Sequence, residues 1–533
     1  GSVAIAKLFG LSLVRDFVKN CPQDEHRESR LQIRQALLEW TYNALQSTAL
    51  EPYIMNNVAN ILTLSIKSDF PDQWPAAFDE VLSFAEISRN GINLSARIVA
   101  DLDVEVVMFS EGRTQQEVTQ NSRIKDAMRE GCIIENIVSF LCSSVLCGTP
   151  ERDDVSTLCL TTLAEMIGWI DINLIVNDEV LPRLYDFCRD QFLCSPSCDC
   201  LLEIAKKGMD SVDKVKLISS IRIVETLSSL PFDSAETSED REESIGMVAD
   251  ALVVELLSCW ISFESYAVEA GAAITATEQK GLLDIGRMTG ELLQGALPLL
   301  MKVFAHEDSA VASCATPSLK KLIGHMKKQQ SYDENPKQKD VSLEPKISQC
   351  IATLHEMFSD WFFIAVDMVP AVLWGIYRQL QFPAGFYELS ADADEEDVEV
   401  AEEIETKNQV RQLFVQCARI RPMSCLELIA EVLTSLPQPL YTAPFPELEA
   451  ALRLVYSLGE CGPQYNAILH EGMFPGIVEA LHQSEIQRHR NPLVLTAYYD
   501  VSARYAAMSS MDTVQHVMQA MVGAQGIRHP DHQ

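Results

Sequence analysis

An all-α architecture is what this sequence predicts, and three observations predict it. Apolar residues recur at helical spacing along nearly the whole chain, as in Ile5, Leu8, Leu11, Leu13, Val14 and Phe17. Runs of alternating apolar and polar residues bounded by Asn-Gly turns, the mark of hairpins, are nearly absent. The helices come in pairs joined by short turns, in units of roughly 40–47 residues, the period of HEAT and armadillo arrays. The expected fold is a HEAT-repeat superhelix, an α-solenoid of antiparallel helix pairs. A compact helical bundle suits so many medium-length helices less well.

Taken in order, the first helix covers residues 3–19 and breaks at Cys21-Pro22-Gln23-Asp24. The second spans about 30–45, with Leu31, Ile33, Leu37, Leu38 and Trp40 on its apolar side. Helices follow over 53–66, 73–87, 94–109 and 117–146, then over 157–169, 173–192, 197–207 and 211–227. Beyond an acidic gap come 245–272, 281–304, 309–326 and 347–380. The last group covers 401–420, 422–434, 446–459, 474–482, 493–508 and 512–522. One pair shows its turn plainly. Leu299, Leu300, Val303 and Phe304 end a helix, His306-Glu307-Asp308-Ser309 caps the next, and Val311, Leu319 and Leu322 line it.

The stretch Phe70-Pro71-Asp72-Gln73-Trp74-Pro75 is the sharpest local feature. Its two prolines favour an extended turn, and Pro75 suits the first position of a new helix. Trp74, Phe78, Val81 and Leu82 then return at helical spacing, so Trp74 and Phe78 are expected to lock one repeat against the next.

Polar segments divide the array into 1–227, an acidic loop at 228–244, 245–384 with a mobile loop at 327–346, an acidic strip at 385–407, and 408–533. The strip carries Asp392, Asp394, Glu395, Glu396 and Asp397 without one basic residue between Tyr387 and Glu405. It reads either as a solvated entry into a helix whose first turn favours acids, or as a docking strip for a basic partner.

With 533 residues, 47% of them hydrophobic, the chain can bury a large core, as several globular domains or as one stacked array. A formal charge of −34 argues against a general nucleic-acid coat protein, though it leaves room for a local basic surface. No signal peptide and no uninterrupted membrane-length apolar run is evident, so a soluble protein of nucleus or cytosol is expected. Gly1-Ser2 without an initiator Met suggests a cloning scar or an internal start. The 15 cysteines sit mostly inside apolar helical patterns and read as reduced, buried thiols.

Cys188, Cys194, Cys198 and Cys200 invite a zinc reading, but their spacing matches no standard four-ligand arrangement, and core thiols are the better account. No phosphate-binding glycine loop, nucleophile elbow or paired-histidine metal motif occurs, so no enzymatic function is expected. Two basic clusters stand out. Arg123, Lys125 and Arg129 lie within 121–130, with Lys125 and Arg129 one turn apart. Lys206, Lys207, Lys214 and Lys216 bracket the turn Gly208-Met209-Asp210. Ordinary surface charge paired with Asp126, Asp210 and Asp213 is one account of them; in an acidic chain, such basic turns are also where phosphates would bind.

These residues bring a resemblance into view. Phe70 to Pro75 with Phe78, Asn121 to Cys132, Trp169 to Asp178, Cys198 to Ile204 and Lys207 to Lys214 resemble the exportin branch of the importin-β (karyopherin) family. Within that branch they are most similar to its tRNA-exporting receptors. The likeness is densest between 70 and 220, weak over about 228–380, and ends near Gly526 to His529. It implies that the first helix precedes Val3 and that a carboxy-terminal arch is missing.

The resemblance further implies a receptor that binds mature tRNA together with the Ran GTPase in its GTP form and releases both in the cytoplasm. Nuclear-pore FG-repeat proteins would be further partners, the receptor a shuttling monomer away from membranes, and GTP present only through Ran. On this reading Phe70, Trp74 and Phe78, with Asp392, Asp394, Glu395, Glu396 and Asp397, are candidate Ran-binding residues. Arg123, Lys125, Arg129, Lys206, Lys207, Lys214 and Lys216 are the tRNA-binding candidates. The alternatives are a karyopherin for protein cargo, which the acidic charge favours, and a HEAT scaffold subunit without Ran dependence.

Overall fold

The computed structural model describes residues 2–20, 26–47, 50–108, 110–146, 154–232, 237–270, 275–334, 368–383, 386, 398–461 and 472–523. The described residues are helical with short connections, and none of them forms a strand. The fold is an α-solenoid type of packing, in which successive helices bury apolar stripes against sequence neighbours, except for the exposed last helix, Met511–Val522. The chain divides into two compact units, Gly1–Met209 with Leu230–Val248, and Asp210–Ser229 with Ala249–Gln533. These boundaries fall in the Gly208–Asp210 turn, between Ser229 and Leu230, and within a long helix.

The first unit contains α1 (Ser2–Asn20), α2 (Arg27–Ser47), α3 (Pro52–Asp69), α4 (Ala77–Leu82) and α5 (Arg89–Leu102). They are followed by α6 (Gln115–Glu130), α7 (Ile133–Leu146), α8 (Asp154–Ile167), α9 (Val180–Phe187) and α10 (Cys194–Lys206). Helix α3 packs on α1 and α5, α5 on α8, and α8 on α7 and α10. Each step buries a stripe such as Val58, Ile61, Leu62 and Ile66 of α3 against Leu94 and Ile98 of α5. Close approach demands a glycine at one place. A Cβ on Gly91 would lie 1.8 Å from the Phe84 carbonyl oxygen, so α5 can seat there only with a hydrogen.

Several expected long helices are interrupted. The run 117–146 breaks at Gly131 and Cys132, where Cys132 has φ 54°, and becomes α6 and α7. The run 73–87 shortens to α4 plus a 3-10 turn over Ser83–Glu86. The run 94–109 starts earlier, at Arg89, and ends in a π turn over Asp103–Val107. A 3-10 turn at Ile172–Leu174 and the short α9 replace the helix 173–192. Apolar spacing carries across such breaks because the buried stripe resumes on the same core.

In the second unit, α11 (Ser211–Ile221) and α12 (Ile223–Ser228) pack on α14 (Ala276–Phe304), which follows α13 (Glu239–Ala270), whose residues up to Val248 belong to the first unit. Next come α15 (Ser309–Ser313), α16 (Thr316–Glu334), α17 (Val369–Leu380), α18 (Val398–Ile420), α19 (Pro422–Ser435) and α20 (Phe445–Leu458). The last are α21 (Met473–Gln483), α22 (Pro492–Arg504) and α23 (Met511–Val522). The pairs α16–α18, α17–α18 and α20–α22 are the most extensive contacts here. The acidic gap is shorter than expected because Glu239, Asp240 and Glu242 open α13, where acids favour a helix amino terminus. Likewise α16 runs on to Glu334; the rest of the expected loop, 335–346, lies outside the described residues.

One expectation about membranes needs correcting. Residues Glu239–Ala267 of α13 are long and apolar enough to cross a bilayer, with mean hydropathy 1.7 over the best window. Yet 67% of that window is buried inside the protein, and Asp250 and Glu255 on this helix hold Ser318 and Lys214. This is a core helix, apolar because it is covered on most sides.

Candidate functional site

The turn after α3 is built from a buried electrostatic knot. Asp69 accepts from Arg34 at 2.6 Å and Arg30 at 3.3 Å, with all three side chains 8% exposed or less. Ser68 also bonds Arg30 and, at 2.8 Å, Asp69. Arg30 and Arg34 lie four residues apart on α2, so one helix face delivers both guanidinium groups. The Asp69 carbonyl then accepts from the N–H groups of Gln73 and Trp74, closing the turn. Arg34 stacks over the Trp74 ring at 4.7 Å, and Phe70 meets Phe78 edge-on at 5.1 Å.

Phe70, Trp74 and Phe78 are therefore buried, each 4% exposed or less. As contact residues for a partner they are a correction: they hold the turn, and other side chains face outward. The turn presents Asp72, Gln73, Pro75 and Ala76, with Asp79 and Glu80 following on α4. Asp72 receives a two-pronged bond from Arg123 of α6, both contacts at 2.6 Å. Gln120 donates to the Phe70 carbonyl at 3.3 Å. Helix α6 itself starts at a full capping box of Thr114 and Glu117. Turn and α6 thus form one continuous polar surface. Neither the Arg30–Asp69–Arg34 knot nor the outward acids were singled out from sequence; the four-residue spacing of the two arginines was the available signal.

The acidic strip candidates Asp392, Asp394, Glu395, Glu396 and Asp397 lie outside the described residues.

The basic candidates separate by environment. In the first unit, Arg123 is committed to Asp72, and Arg129 pairs with Asp126 at 3.0 Å on the exposed side of α6. Lys125 is half-buried and Lys206 is exposed, neither with an ion pair among the described residues. Lys207 is a structural residue, which corrects its place among phosphate contacts. Its ammonium donates to the carbonyls of Ile167, Gly168 and Ile170 at 2.7–3.0 Å, capping α8, and burial lowers its pKa. In the second unit, Lys214 is also corrected: it is buried and bonded to Glu255 of α13. Lys216 is exposed, 3.8 Å from Asp213.

Cys188, which follows α9, and Cys194, Cys198 and Cys200 of α10 are buried, as a core-thiol reading requires. Among the described residues no group of three His, Cys, Asp or Glu side chains is placed to hold a metal ion.

Comparison with known proteins bears on this surface. A family model described as Exportin 1-like protein matches residues 51–201, which include the Phe70 turn, α6 and the Gly168 carbonyl cage. The chain is 24% identical over 509 residues to Exportin-T of Danio rerio, covering 93% of this chain and 48% of that protein. It is 25% identical over 517 residues to Exportin-T of Homo sapiens, with the same coverage. Against Exportin-T of Dictyostelium discoideum identity rises to 29%, over 58% of this chain and 27% of the relative. Nearly the whole chain is thus similar to exportins, at low identity.

It spans about half the length of the curated exportin relatives it matches. The family-model match lies wholly within the first unit and includes Asp69 and the Asp72–Arg123 pair, while Arg30 and Arg34 precede it.

Proposed function

We propose that this chain is part of a nuclear export receptor that binds mature tRNA cooperatively with Ran in its GTP form. The observation that carries the reading is similarity over 93% of the chain to relatives named Exportin-T. The turn at Asp69–Pro75 with α6 is the surface assigned to the GTPase, because it is a rigid polar face held from beneath by buried ion pairs. The tRNA is assigned to cations of the first unit, exposed Lys206 and half-buried Lys125. Shape and phosphate contacts would do the reading, as is usual for double-helical RNA. Cooperation requires both ligands to favour one curvature of the array, with a coupling of about 1–3 kcal/mol. FG-repeat proteins of the nuclear pore, and shuttling between nucleus and cytoplasm, belong to the same proposal, as does the absence of catalysis.

The test is binding of Ran loaded with GTP or GDP, with and without tRNA. Preference for the GTP form, tightened by tRNA, supports the reading; equal affinity for both forms overturns it. Lys206→Glu is expected to reduce the salt slope of tRNA binding by about one. Lys214→Glu is expected instead to lower stability, since it places two carboxylates together in a buried site.

A second reading, an exportin for protein cargo, is favoured by the net charge of −34, which suits a basic protein better than RNA. Competition between tRNA and a basic protein for the Ran-loaded receptor separates the two.

A further inference from the structure

The turn between α9 and α10 gathers groups that the export reading does not use. Cys188 ends α9, Cys194 is the first residue of α10, and Cys198 lies one turn further on. The Sγ atoms of Cys194 and Cys198 are 4.0 Å apart, and Cys198 also hydrogen-bonds Cys188. Arg241, in the first turns of α13, reaches into this group. It donates to the Cys188 carbonyl at 3.2 Å, and its charge favours the ionised form of Cys194. All three thiols are buried, but Cys194 lies just beneath the exposed residues Gln191 and Phe192. The Asp190 carboxylate holds that covering turn by accepting from the N–H groups of Phe192 and Leu193, at 2.8 and 3.0 Å.

Thiols that merely fill a core behave alike. Burial pushes Cys159 and Cys417 up to about 12, and Cys142 and Cys461 up to about 11. Cys194 moves the other way. The contact with the Cys198 sulfur lowers it most, and the Arg241 charge adds to this, against burial and Asp190. The amino terminus of α10 acts in the same direction. Cys198, by contrast, is raised by its bonds to Cys188 and Cys194 and by burial, and so keeps its proton. Two sulfurs 4.0 Å apart, the one with its pKa lowered and the other with its pKa raised, are the arrangement that disulfide chemistry needs.

We infer that Cys194 and Cys198 are a redox-active pair, with Cys194 the peroxide-reactive thiolate, Cys198 the resolving thiol, and Arg241 the residue that positions and charges Cys194. The oxidant is a hydroperoxide. The Cys194 thiolate attacks the distal peroxide oxygen, the O–O bond breaks, and the leaving alkoxide or hydroxide takes up a proton. This leaves Cys194 as a sulfenic acid. The Cys198 sulfur then attacks the Cys194 sulfur, an S–S bond forms, and the S–OH oxygen departs as water with the Cys198 proton. Two thiols lose two electrons, and hydrogen peroxide becomes two waters. The inference stands on the thiol cluster alone and is independent of tRNA or Ran binding.

The experiment treats the folded chain with hydrogen peroxide, blocks remaining thiols with a maleimide, and maps the cysteine peptides by mass spectrometry. The expected product is a Cys194–Cys198 disulfide, formed while fully buried Cys200 stays reduced. In Cys198→Ser the intermediate cannot resolve, so dimedone should label Cys194. Arg241→Gln should slow the oxidation by about tenfold, and Arg241→Lys should restore part of the rate. Circular dichroism confirms that each variant is folded before its rate is compared. Oxidation confined to exposed Cys132 overturns the inference, as does a Cys188–Cys198 disulfide with Cys194 reduced. So does a folded Arg241→Gln that reacts at the wild-type rate.

Discussion

Asp69 is a single carboxylate asked to satisfy two buried guanidinium groups, Arg30 and Arg34, and to close a turn with its own carbonyl. Removing it leaves two uncompensated charges beneath the exposed acids of the turn. Asp69→Ala is expected to cost about 3–5 kcal/mol in chemical denaturation. A loss under 1 kcal/mol would show that water reaches the arginines. The exposed pair Arg123–Asp72 is different in kind: Arg123→Ala should change stability by at most about 1 kcal/mol, because solvent already stabilises both partners. Histidine 489 sets a pH dependence. Its Nδ1 accepts from the Asn491 N–H, its Nε2 pairs with the Ala443 carbonyl, and burial holds its pKa below 6.5. His482 is lowered by burial as well. The unfolded chain therefore takes up protons that the folded chain resists, and stability falls as pH drops through about 6.5. His489→Gln should flatten the slope of melting temperature against pH between 7 and 5.5; an unchanged slope assigns it elsewhere.

Among elements, close helix approach is decided by two glycines with different neighbours. At Gly91 a Cβ would strike the backbone oxygen of Phe84, which cannot turn aside. At Gly375 it would meet the Phe304 ring at 2.6 Å, where α17 crosses the end of α14. Both Gly91→Ala and Gly375→Ala are expected to destabilise by about 1–3 kcal/mol, read as a lowered urea midpoint. Gly91→Ala should be the more severe, because a side chain can shift and a carbonyl inside a 3-10 turn cannot. If Gly375→Ala proves the worse of the two, the Phe304 ring is the more rigidly held neighbour. The π turn at Asp103–Val107 is a second decision at this scale. Asp103 there accepts from the Trp169 indole at 2.7 Å, and Asn121 of α6 donates to the Glu105 carbonyl, so the irregular turn ties three repeats together.

For the whole molecule, charge is the property that dominates. A net of −34 on 533 residues makes self-repulsion a general destabilising term. Many ion pairs among the described residues are local or surface pairs, which contribute little free energy for salt to weaken. Adding sodium chloride from low ionic strength should therefore raise the melting temperature. A fall would mean that specific pairs such as Lys67–Glu105 outweigh the general repulsion. The same charge makes any phosphate contact depend on the few exposed lysines. If the chain binds tRNA as proposed, their substitution should show first in the salt dependence of that binding and only then in affinity at low salt.

Sequence alone determined the helical class, the pairing of helices and the exportin resemblance. Apolar period and turn chemistry are local, and every repeat restates them; the residues of the Phe70 turn and Asn121 to Cys132 carried the family. It also placed Trp74 and Phe78 correctly in the core. What only the tertiary structure decided is which charges are free. Lys207 and Lys206 are adjacent in the chain, yet one cages the end of α8 and the other faces solvent. Lys214 and Lys216 differ in the same way. Such assignments depend on carbonyls and carboxylates some 40 residues away, at Ile167 and Glu255, which no local spacing encodes. The thiol pair is of the same sort. Cys194 and Cys198 are visible as an i, i+4 pair, but the charge that separates their roles arrives with Arg241, from a helix that begins 33 residues after α10 ends.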